Sequence, residues 1–71
     1  MNTTESINAK ETLIGLQLSI NVLEIEKEVL GSLIVACETS ESLEHIVNQI
    51  VRIEGTIRHL NEVKLKVNLW G

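Results

Sequence analysis

Two histidines, one cysteine and three alternate glutamates are the side chains here whose chemistry suits catalysis or metal binding. On a helix, His45 and His59 lie two heptads apart, about 21 Å along the axis, which is too far for one metal ion. They read as solvated surface histidines. Cys37 has no base or cation at helical spacing beside it to stabilise a thiolate, and it falls at an apolar core position, so it reads as a buried structural thiol. Glu24, Glu26 and Glu28 point in different directions on a helix and cannot converge on a substrate; they read as a solvated acidic face. No catalytic, cofactor-binding or metal-ligating residue is therefore assigned. No small-molecule substrate is expected, and the chain reads as a non-enzyme.

The elements that carry these residues are helical. Among 71 residues there is no Pro, Phe, Tyr or Asp, and all ten acidic residues are Glu. Glu keeps its rotamer freedom on a helix, whereas Pro and Asp compete with or break the backbone ladder. In the second half, Leu43, Ile46, Ile50, Ile53, Ile57, Leu60, Lys64 and Val67 recur at alternating steps of three and four, which places them on one stripe of a helix. Leu13, Leu16, Ile20, Leu23, Lys27, Leu30, Ile34 and Cys37 repeat the pattern in the first half. Leu16 to Val22 and Val63 to Leu69 also alternate apolar and polar residues, so a βααβ arrangement is the competing reading.

Between the two frames, Glu38-Thr39-Ser40-Glu41-Ser42 is the polar, hydroxyl-rich cluster. Thr39 or Ser40 is placed there to cap the second helix, and Asn2 or Thr4 to cap the first. The expected fold is all-α: one antiparallel, coiled-coil-like two-helix hairpin over residues 1–71. Its helices run about 5–37 and 41–69 around a turn at 38–40. Residues whose numbers add to roughly 79 should face one another. Residues 1–44 hold eight Glu against Lys10 and Lys27, whereas residues 45–71 hold four cations against Glu54 and Glu62. That asymmetry places Glu24 and Glu28 near Arg52 and Arg58, and Glu11 near Lys64 and Lys66. Gly15, Gly31 and Gly55 each cost a helix about 1 kcal/mol relative to Ala. Close helix approach is their expected reason, with Gly15 opposite Lys64. Lys27 and Lys64 interrupt apolar seams, either to set register or to snorkel to the edge.

One chain of this size buries only roughly 60% of its unfolded surface and needs a further staple. A lone cysteine forms no internal disulfide, which leaves association. The first helix supplies the surface: Ile14, Leu18, Val22, Ile25, Val29 and Leu33 form a second stripe nearly opposite the seam, and a single neighbouring helix covers one stripe only. These six, with Trp70 as either an anchor or a clamp on the open end of the hairpin, are the expected partner-binding residues. A second chain would complete a helical bundle. It is either another copy or a helix of a different protein seated in the groove.

The net charge of −4 and the lack of a basic stripe with interleaved aromatics argue against nucleic acid. No apolar run approaches the ~20 residues of a membrane span, and residues 1–10 lack a signal-peptide pattern. A cytoplasmic protein is expected.

A hairpin of this length, with two heptad series, a turn at Glu38 to Ser42 and a surplus apolar face, resembles the small needle co-chaperones of bacterial type III secretion. The resemblance is one of organisation along the whole chain. It matches no sequence motif, so no functional residue is carried over. It implies a hairpin that pairs with a second chaperone and keeps a needle subunit soluble. The segment Leu23 to Gly31 is also similar to small enterobacterial biofilm and acid-resistance regulators, which are helical dimers. The expected function is a protein–protein interaction module, an adaptor or co-chaperone. The alternative is a small homodimeric regulator that binds through the polar face of helix two around His45, Arg52 and Arg58.

Overall fold

The computed structural model describes residues 3–70, with side chains described from Ala9 to Leu69. Two helices, α1 (Thr3–Ile34) and α2 (Ser40–Trp70), pack side by side as a hairpin. The described residues contain no strand, and residues 16–22 and 63–69 are helical, which excludes the βααβ reading. The alternation that suggested strands has a helical cause. Leu16 and Ile20 turn inward to the seam while Leu18 and Val22 turn outward, because residues two apart on a helix lie on different sides.

Both heptad frames form the interface. Ile20 and Val67 are buried at 4% and 2% exposure. Leu13, Leu16, Leu23, Leu30 and Ile34 of α1, with Ile46, Ile50, Ile53, Ile57 and Leu60 of α2, are half-buried. Leu43 is the seam residue that stays exposed, in the first turn of α2 beside the chain reversal.

The seam lysines settle their own question. Lys64 Nζ donates to Gln17 Oε1 at 2.6 Å, and Lys27 Nζ lies 3.8 Å from Glu54 Oε2. Both reach across the seam rather than along their own helix, and both pairs share one register, shifted by two from that expected. The shift and the helix phase remove the ion pairs drawn from charge asymmetry: among the described residues Lys27–Glu54 is the one ion pair. Arg52 lies on the flank shared with Glu26 and Val29, whereas Glu24 and Glu28 are turned to other sides of α1.

α1 ends at Ile34, three residues before the expected boundary. Ala36 N–H donates to Leu33 O at 3.0 Å and Cys37 N–H to Ile34 O at 3.2 Å, tightening the last turn so that residues 35–39 can reverse the chain. Cys37 thus stands outside the helix and half-exposed, not at a buried core position, and Val35 is 90% exposed in the turn. Thr39 is the cap of α2: its Oγ1 accepts the Ser42 N–H at 3.1 Å while its carbonyl accepts the Leu43 N–H at 3.1 Å. The cap expected at Asn2 or Thr4 lies outside the described residues and side chains.

The glycines do not mark close approach. A Cβ placed on Gly15, Gly31 or Gly55 would meet nothing within 4 Å, and Gln17, not Gly15, faces Lys64.

Candidate interaction surface

At about 100° per residue, the stripe of Ile14, Leu18, Val22, Ile25, Val29 and Leu33 lies nearly opposite the seam of α1. The seam faces α2, so the stripe faces solvent. All six side chains are exposed, from 46% at Leu33 to 60% at Ile14 and Ile25. Covering the exposed half of each is worth roughly 0.8–1.5 kcal/mol, or roughly 5–9 kcal/mol for the stripe. This is a continuous apolar face rather than the scatter of single surface hydrophobes normal for a monomer. Trp70 closes α2, and its side chain lies outside the described part of the chain.

The molecule has the shape of a rod, 57 × 15 × 10 Å, with a Cα radius of gyration of 16.6 Å. A compact domain of this length has a radius near 11 Å. Accessible surface amounts to 5472 Å² for a mass of 7.9 kDa, whereas a compact monomer of that mass exposes about 4,400 Å². The hairpin therefore carries about 1,000 Å² more surface than its size requires. Among the described side chains, only Ala9, Ile20 and Val67 are buried.

Glu26, Val29 and Leu30 of α1 and Gln49, Arg52 and Ile53 of α2 line an open recess of about 440 Å³ beside the stripe. It adds one carboxylate and one guanidinium to the rim of the apolar face. A second recess of about 420 Å³ at the turn includes Leu33, Cys37 and Ile46. There the Cys37 S–H points at the Leu33 carbonyl, 3.4 Å away.

The residues with chemical potential do not come together. His45 and His59 are exposed, and Gln49 Nε2 stands 3.3 Å from His45 Nε2. Glu24, Glu26 and Glu28 are all exposed and diverge. Among the described residues, no three metal-ligating side chains form a group, and no helix is long and apolar enough to cross a membrane.

One feature escaped the sequence reading. Val47, Val51, Leu65 and Leu69 of α2 are also exposed, at 41% to 86%, and they share a side of the helix at steps of four and fourteen. The i, i+4 pairs were the available signal. Glu54 and Arg58 separate the two pairs, so this side is broken where the α1 stripe is continuous.

Fold and surface together define a helical hairpin with an unpartnered aliphatic face on its first helix. No protein-family model, curated protein or solved structure matches the chain.

Proposed function

We propose that this chain is a non-enzymatic, cytosolic protein–protein interaction module, an adaptor or co-chaperone in kind. It binds an apolar helix face of another polypeptide through Ile14, Leu18, Val22, Ile25, Val29 and Leu33. The observation that carries this reading is the continuity of those six exposed aliphatics on the side of α1 that α2 does not cover. Helix-in-groove recognition uses anchors at this spacing, and the aliphatic composition suits an apolar helix better than a charged ligand. The needle co-chaperones of type III secretion, which the chain resembles in organisation, offer an analogy for such a role.

The test replaces Val22 and Val29 together with Glu, and as a control Val47 and Val51 together with Glu. Association is read in two ways: sedimentation of the chain alone, and binding of a fluorescent amphipathic peptide with Leu at three-four spacing and Lys elsewhere. Circular dichroism verifies that the hairpin persists. The expected result is that the α1 variant loses both kinds of association while the α2 variant keeps whatever the parent shows. A parent chain that neither self-associates nor binds the peptide refutes the reading, as does a peptide complex indifferent to the α1 variant.

A second reading, a homodimeric regulator that works through α2, is favoured by one observation. His45, Arg52, His59 and Lys66 recur every seven residues and all are exposed, so one outer line of α2 interleaves two cations with two imidazoles. Exchanging Arg52 and Lys66 for Ala would then abolish function while leaving dimerisation intact.

A further inference from the structure

We infer that the occupant of the α1 face is a second copy of this chain, packed α1 against α1 in an antiparallel, two-fold arrangement centred between Leu23 and Glu24. The inference rests on the reading of the stripe as a binding surface and names what fills it. Its first support is the symmetry of the stripe. The steps from Ile14 to Leu33 run four, four, three, four, four, so reversing the helix reproduces the same series. Two antiparallel copies bring Ile14 opposite Leu33 of the other copy, Leu18 opposite Val29 and Val22 opposite Ile25. An isologous two-fold contact requires such self-complementarity.

Charge supplies the second support. Of the α1 carboxylates, Glu11 lies on the line of the stripe and Glu26 borders it at about 100° per residue; in this register Glu11 falls opposite Ala36 of the other copy and Glu26 opposite Asn21, so neither directly faces a carboxylate. A parallel pairing would set Glu11 and Glu26 each beside its own counterpart, and like charges so placed oppose association.

Area is the third. The rod exposes about 1,000 Å² more than a compact monomer of its mass, so giving up the ~800 Å² that each partner contributes to a stable interface of standard size would bring it close to the surface of a compact protein. The resulting assembly places both α1 helices at the centre, each covered on two sides, and both α2 helices outside.

Single cysteines introduced on a Cys37→Ser background test the geometry under mild oxidation, with sedimentation of the unmodified chain run in parallel. Val22→Cys should cross-link to itself across the two-fold axis. Ile14→Cys alone and Leu33→Cys alone should not, because each residue lies about 28 Å along the axis from its own counterpart. Mixing these two variants should give a cross-linked heterodimer. Efficient self-cross-linking of Ile14→Cys overturns the antiparallel register. A monomeric parent chain overturns the second copy as occupant; if that monomer still binds the Leu/Lys peptide through the stripe, the wider reading survives. A dimer that is broken by Glu at Val47 and Val51 and indifferent to Glu at Val22 and Val29 overturns both. The Val22, Val29 double variant should weaken the dimer at least about 100-fold, since each new carboxylate would be buried without a partner.

Discussion

Gly55→Ala should stabilise this protein, a sign that depends on the open space around the residue. Gly55 lies in the middle of α2, and a Cβ there would meet no atom within 4 Å. Its φ is negative, so Ala adopts the same backbone without strain. The remaining effect is that of chain entropy and helix propensity, about 0.5–1 kcal/mol in favour of Ala. For a domain of this size, 1 kcal/mol shifts the thermal midpoint by roughly 4–8 °C, so the variant should melt roughly 2–8 °C higher. Gly31→Ala should behave alike, and the two should add, because they share no contact partner. The assay is thermal unfolding followed by far-ultraviolet circular dichroism at one fixed protein concentration, since association also moves the midpoint. A lower midpoint for Gly55→Ala would refute the reasoning and mean that another helix approaches α2 at that point. Gly15 borders the aliphatic stripe, so the same change there reports both the backbone gain and the fit of whatever covers the stripe.

Thr39→Ala removes the acceptor of the Ser42 N–H and should cost about 1 kcal/mol, whereas Thr39→Gly should cost a few tenths; urea unfolding with an unchanged m-value measures both. Lys27→Leu should raise stability by about 1 kcal/mol in the same assay. The Lys27–Glu54 pair is partly solvated at 37% and 49% side-chain exposure and worth at most about 1 kcal/mol, while Leu restores the apolar seam. Ile20→Ala should cost about 2–5 kcal/mol, and Leu18→Ala, two residues away, less than about 1 kcal/mol to the isolated hairpin. Equal losses at the two positions would contradict the division of α1 into a covered and an open side.

That division was legible in the residues because a helix repeats every 3.6 positions, and α1 contains two interleaved series with that period. The seam residues are those the three-four steps select, and the six stripe residues are the ones left exposed. What failed to be legible depended on phase and on local backbone chemistry instead. Charge asymmetry between the halves was real, but pairing requires side chains on a shared flank, and Arg52 shares its flank with Glu26 rather than with Glu24 or Glu28. The seam series continued to Cys37, yet an antiparallel return consumes residues 35–39, and the hydroxyl of Thr39 decides where α2 begins. Glycines carry no periodic signal at all, so their role had to wait for the space around them.

A hairpin so thin also links folding to association. One helix pair buries three described side chains, Ala9, Ile20 and Val67, and leaves the rest of the seam half-covered or, at Leu43, exposed. Small domains with a fuller core than this seldom hold more than about 3–5 kcal/mol. Covering the stripe on two facing chains adds roughly 10–18 kcal/mol of gross burial, against an association cost estimated at 4–15 kcal/mol or more. Gain and cost are of the same order, so the extent of association depends on protein concentration. Ligation by another chain stabilises the folded state by mass action, so the thermal midpoint should climb as protein concentration is raised, and Val22→Glu should flatten that dependence before it lowers helicity at high concentration. A midpoint indifferent to concentration would mean that the seam alone sustains the fold and that the aliphatic face of α1 is maintained for a partner the isolated protein does not contain.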